Sequence, residues 1–143
     1  MRGRPMAALL GLLAAGAAAG RAEEPQPFPP GVYRFSITAD EAPADVPADI
    51  LPMLVGSYAV TFTADGRVTN VVSGKLDAKG RYASTPGYLV LTDEEGPGHC
   101  QAERATGIYK WSRVGTSLTF VKVEDLCRWR AFAITRKPWR KDE

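Results

Sequence analysis

Histidine occurs once in the 143 residues, at His99, and cysteine only twice, at Cys100 and Cys127. One imidazole leaves a Cys-His-Cys site without a fourth strong ligand, so no metal site is expected. It also leaves no second histidine to act as base for a reactive thiol. Gly-x-Ser-x-Gly and His-Glu-x-x-His patterns are absent. With no base–nucleophile pair visible, the sequence names no catalytic residue, no cofactor and no reaction. Charge of one sign is lacking as well. The 18 Lys and Arg stand against 16 Asp and Glu for a net charge of +2, which excludes a strongly basic nucleic-acid binder. The uncharged stretch from Met6 to Ala19 falls short of the about 20 apolar residues that a membrane span needs.

That stretch has another reading. Arg2 and Arg4 precede it, and small residues follow at cleavage spacing, either Ala18 and Gly20 or Gly20 and Ala22. This is the pattern of a secretory signal. Residues 1–22 are read as a signal peptide, 23–30 as a Pro-rich extended arm, and 31–140 as one domain, secreted or periplasmic. Loss of residues 1–22 removes Arg2, Arg4 and Arg21, so eighteen basic side chains become fifteen against the 16 acidic ones. No field then remains to steer the chain to nucleic acid or to a membrane surface. An excess of Arg over Lys with abundant Ala and Gly points to a GC-rich bacterial source. Export permits oxidation, and Cys100 and Cys127 are expected to form a disulfide. For a loop of this size the bond contributes about 3 kcal/mol.

The remaining sequence alternates with period two. Val32 to Thr38 places Tyr33, Phe35 and Ile37 on one face, and Ser57 to Thr63 does the same with Tyr58, Val60 and Phe62. Ala64-Asp65-Gly66 is a tight turn, since Asp and Gly tolerate positive φ. Further strands are expected at Arg67 to Ser73, Arg81 to Ser84, Tyr88 to Thr92, Gly107 to Arg113, Ser117 to Val123 and Trp129 to Thr135. Pro138 is expected to end the last one, with the basic stretch from Arg136 to Lys141 as a solvated terminus. One short helix is expected at Pro47 to Val55, between the first and second strands. The fold class is therefore all-β. A sandwich and a barrel both fit, and sequential hairpins with protected edges favour an eight-stranded antiparallel up-and-down β-barrel. In such a meander the loops after strands five and seven lie at one end, which brings Cys100 and Cys127 to the same rim.

Several stretches resemble the bacterial lipocalin-like domains, part of the calycin group of small barrels. They are Gly56-Ser57-Tyr58 with Asp65-Gly66, Leu91-Thr92-Asp93-Glu94-Glu95-Gly96-Pro97 with Cys100, Gly107-Ile108-Tyr109-Lys110-Trp111, Leu118-Thr119-Phe120, Asp125-Leu126-Cys127 and Pro138-Trp139-Arg140. The similarity runs from Gly31 to Arg140. Lipocalins carry Gly-x-Trp on the first strand, packed against an Arg from the last. Here Gly31-Val32-Tyr33 has Tyr at that place, with Arg130 or Arg140 as its candidate partner. The resemblance implies a barrel with a ligand cavity.

An eight-stranded barrel holds packed side chains or one small ligand. The residues expected to face inward and to meet such a ligand are Tyr33, Phe35, Tyr58, Phe62, Leu91, Tyr109, Trp111, Phe120 and Phe132. Val60, Leu89, Leu118 and Ile134 complete the interior. The expected function is an exported binding module for a small hydrophobic or amphipathic molecule. A protein-interaction module such as a secreted protease inhibitor, using the Pro-rich arm or the basic tail, is the alternative.

Overall fold

The structure is a computed structural model and describes residues 27–143. Residues 1–26, which hold the stretch read as a signal peptide and the start of the Pro-rich arm, lie outside the described residues.

Eight antiparallel strands close into a barrel in sequential order. They are β1 (Gly31–Ile37), β2 (Gly56–Phe62), β3 (Arg67–Val72), β4 (Lys75–Thr85), β5 (Tyr88–Glu95), β6 (Thr106–Val114), β7 (Ser117–Asp125) and β8 (Trp139–Lys141). Along β1 and β2 the side chains at Tyr33, Phe35, Ile37, Tyr58, Val60 and Phe62 are buried. Their intervening neighbours are exposed or half-buried, the alternation that a sheet with one wet face requires. The expected helix between β1 and β2 is present as α1 (Leu51–Leu54), preceded by a turn in which Ile50 and Leu51 donate to the Pro47 carbonyl. Pro52 lies in its first turn, where the missing N–H costs nothing.

The eighth strand is not where the alternation of Phe132 and Ile134 puts it. Arg128–Arg136 is a helix, α2, and the strand follows it at Trp139–Lys141. The same stretch also carries apolar residues at helical spacing, Trp129 with Phe132 and Ala133, and a window of nine residues satisfies both periods. Pro138 closes the helix rather than the strand, because the residue before a proline is driven out of the helical region. The basic stretch is correspondingly anchored. Lys137 Nζ lies 2.5 Å and Arg136 Nε 3.1 Å from the Glu41 carboxylate, and Trp139 is among the most buried residues of the chain. β4 is also longer than expected: it starts at Lys75 rather than Arg81, so that Lys75 to Gly80 add six residues to the strand.

β8 joins the two ends of the sheet through only two register pairs on each side, Tyr33↔Lys141 and Arg34↔Arg140 with β1, and Ser117↔Arg140 and Leu118↔Trp139 with β7. Trp139 makes that short strand effective. Its ring stacks on Phe35 at 4.8 Å, Phe35 stacks in turn on Tyr58 at 4.4 Å, and Phe120 packs on the other side at 4.5 Å.

The barrel interior is divided along its length. At the end where β1 begins, Phe28 of the arm enters the barrel and is 3% exposed, packing on Phe62, Trp111 and Tyr82. Tyr33 lies beside it and donates its hydroxyl to the Pro29 carbonyl at 2.7 Å. Neither Arg130 nor Arg140 meets Tyr33: Arg130 is engaged at the opposite end of the barrel, and Arg140 is exposed. These aromatics form a solid floor.

Replacing Trp139 by Ala removes the ring that couples β8 to both neighbours. The substitution is expected to lower stability by about 3–5 kcal/mol, read as a shift of the urea midpoint. A loss below about 1 kcal/mol would contradict the role given to this residue.

Candidate functional site

The upper half of the interior is hollow. A cavity of about 520 Å³ lies between the strands, α1, α2 and the β5–β6 loop. Its existence follows from side-chain size. Where the floor has rings, the upper wall has Ala78, Gly80, Val60 and Val68, with Ala133 of α2 facing them. Gly80 is required at its place, because a Cβ there would strike the Thr92 carbonyl of β5. Met53 and Leu54 of α1 cover one side, and the exposed residues Gln101 to Arg104 form part of the rim.

Of the residues expected to meet a ligand, Phe35, Tyr58, Phe62 and Leu91 line this cavity. Tyr33, Tyr109, Trp111 and Phe120 do not. Tyr33, Trp111 and Phe120 belong to the floor and the packing around it, and the Tyr109 hydroxyl is engaged with Asp125. Phe132 is on α2, half-buried against the core, rather than on a barrel strand. Tyr58 carries a hydroxyl into the apolar wall and donates it to the Leu54 carbonyl at 2.6 Å; burial pushes its pKa up.

At the hollow end, one arginine ties α2 to the β5–β6 loop and to the ends of β5 and β7. Arg130 of α2 donates from Nε and Nη2 to the two oxygens of Asp125 at 2.8 Å each. It also donates to the carbonyls of Ala105 at 2.8 Å and Arg104 at 2.9 Å, and lies 3.4 Å from Asp93. Burial opposes its charge, but the bonds and attraction to Asp125, with Asp93 and Tyr109 adding, outweigh that and hold the guanidinium above its ordinary value. The Tyr109 hydroxyl donates to Asp125, and burial together with that carboxylate raises the phenol's pKa. Each carboxylate also receives a cysteine amide, Cys100 N–H to Asp93 and Cys127 N–H to Asp125, both at 2.8 Å. The cysteines themselves form the expected disulfide at one rim, with Cα atoms 6.1 Å apart. Gly107 makes room for the cluster, since a Cβ would press on Asp125 and Arg130.

A second polar group lies on the cavity wall, and alternation along the strands does not locate it. The β3–β4 ladder shifts register so that Asn70 faces Ala78 and Val71 faces Leu76, leaving Asp77 as an extra residue. Such a bulge re-aims side chains, and both Asp77 and Ala78 line the cavity although they are adjacent in a strand. Asn70 Nδ2 donates to Asp77 Oδ2 at 3.0 Å. The Gly96-Pro97-Gly98 turn folds over the same carboxyl: Gly98 N–H donates to the Asp77 carbonyl at 2.8 Å, and a Cβ on Gly98 would collide with Asp77 Oδ1. Burial raises the Asp77 pKa and the Asp93 charge adds to it, with the Asn70 bond opposing. The amide oxygen of Asn70, Oδ1, is buried without a partner.

His99 also lines the cavity, beside Cys100. Among the described residues no group of three His, Cys, Asp or Glu side chains is placed to hold a metal ion, and no helix is long and apolar enough to cross a membrane. No family model, curated protein or solved structure matches the chain.

Two substitutions check this description. Arg130→Met strands Asp125 and Asp93 without a cation and is expected to cost about 3–5 kcal/mol in chemical denaturation. Arg130→Lys is expected to recover only part of the loss, because an ammonium cannot bridge both oxygens and two carbonyls in one plane. For Asp77 the sign follows from its raised pKa: the folded state holds this proton more tightly than the unfolded chain, and stability falls as pH rises through the carboxyl's titration. Asp77→Asn is therefore expected to be more stable than wild type at pH 7 by thermal unfolding, with the gain vanishing in acid. Equal pH dependence of the two proteins would refute it.

Proposed function

We propose that the protein is an exported, lipocalin-like module of bacterial origin that binds one small hydrophobic or amphipathic molecule in the upper half of its barrel. The cavity carries this reading. Its volume lies within the range of about 300–1,000 Å³ typical of small-molecule sites, and its lining is mainly apolar, with polar and charged side chains such as Asn70, Asp77, Lys79 and His99 among it. The disulfide and the lack of a long apolar helix in the described residues are compatible with an exported soluble chain. The aromatic floor supports the same reading from the other side. The protein fills the lower interior with rings yet leaves small residues above, under a roof fastened by a buried ion cluster.

The two features that favour a protein-docking role are engaged within the barrel. Phe28 of the arm is buried in the floor, and the basic tail leads into β8.

An environment-sensitive apolar fluorophore is expected to bind the purified protein at a single site and to brighten on binding. Ala78→Phe, which fills the cavity from β4, is expected to weaken that binding about tenfold or more. Failure of every apolar probe to bind, or unchanged affinity in Ala78→Phe, overturns the proposal.

A further inference from the structure

The Asn70–Asp77 pair lies on the cavity wall at the β3–β4 bulge, outside the ion cluster that Arg130 builds in the roof. Arg130 is spent on Asp125 and Asp93, so among the described residues no cation lies within salt-bridge distance of Asp77. Asn70 turns its amide nitrogen to Asp77 and is left with a buried oxygen that accepts nothing. A buried acceptor without a donor costs free energy in the empty protein, and so does a carboxylate without a counter-ion. Both deficits have the same remedy, a group that only donates. The bulge places both residues on the wall of the hollow half, with Met53, Leu54 and Phe35 among the apolar residues lining the same space.

We propose that Asn70 and Asp77 form the head-group subsite of this cavity, and that its occupant is an apolar molecule bearing a protonated amine. A primary ammonium has three N–H donors and no acceptor. It satisfies the Asp77 carboxylate and Asn70 Oδ1 together, while the apolar body lies against the aliphatic and aromatic wall. A neutral alcohol supplies a single donor and leaves one acceptor unmet. A carboxylate meets only acceptors and is repelled. The upward shift of the Asp77 pKa fits a site without its cation, since burial without compensation favours the neutral acid. Trp139 Nε1 is also buried without a partner, but its ring is packed against Phe35 and Phe120, and it offers a donor where Asn70 and Asp77 offer acceptors.

This inference rests on the cavity being a ligand site, and the experiment separates the two. Dodecylamine, dodecanol and dodecanoate share one apolar chain and differ only in the head. Their binding to wild type, Asp77→Asn and Asn70→Ala is measured by competition with the apolar fluorophore, below their aggregation limits, with circular dichroism confirming the fold of each variant. Wild type is expected to prefer the amine over the alcohol by about tenfold, the size of one charge-assisted hydrogen bond, and to bind the carboxylate weakest. Asp77→Asn is expected to bring amine and alcohol within about twofold of each other. Asn70→Ala is expected to reduce the preference in part. If all three heads bind wild type equally, or if the amine preference survives Asp77→Asn, the head-group subsite is refuted while the cavity reading stands. A preference for dodecanoate refutes it too, and means that the Asn70 amide presents its NH₂ to the cavity. No binding of any chain refutes both.

Discussion

The Arg130 guanidinium, held in one plane by two carboxylates and two backbone carbonyls, is the contact on which the open end of this barrel depends. Through Asp125 it grips the end of β7, through Asp93 the end of β5, and through the Arg104 and Ala105 carbonyls the entry to β6. A buried charge is tolerated only when its donors are met in this way, and here the donors are met by three separate parts of the chain. The disulfide lies against the same cluster, since the two carboxylates also hold the amides of Cys100 and Cys127. Covalent and ionic ties therefore reinforce one another. Together they fasten α2 and the β5–β6 loop over a space that side chains do not fill.

That space exists because the barrel is packed unevenly. Eight strands leave room either for side chains or for a guest, and this chain does one at each end. Phe28, Phe62, Tyr82 and Trp111 occupy the floor through edge-to-face and tilted contacts. Ala78, Gly80 and Ala133 leave the upper part vacant. Two polar residues brought in by a single bulge give the upper wall a chemical direction. The floor fixes the arm; the upper half supplies the open volume.

Much of the barrel was legible in the sequence, because burial of one sheet face writes period two directly into residues such as Tyr58, Val60 and Phe62. The shared rim of Cys100 and Cys127 follows from counting hairpins, and the short helix before β2 from the spacing of Ile50, Leu51 and Leu54. The eighth strand was misplaced where nine residues of α2 satisfy two periods at once. Of the cavity, the aromatic wall of Phe35, Tyr58 and Phe62 was readable. Asn70, Asp77 and Arg130 were not. The bulge at Asp77 breaks the alternation that would have marked it as inward, and an Arg in a helix shows its buried role only once its distant partners are known. The Gly96-Pro97-Gly98 turn, next to the acids of β5, was the one local sign of a loop folding back on the wall.

A sheet wound into a ring opens where its joints are thinnest, and here that place is the seam closed by β8. Every other strand pair shares at least five register positions, whereas β8 offers two to each neighbour. Amide protons along β1 and β7 next to that seam are thus the ones that exchange with solvent through the smallest sub-global opening. The exposed edge of β1 in such an opened form is an unpaired row of donors and acceptors. Trp139 is what keeps that edge from finding a second chain.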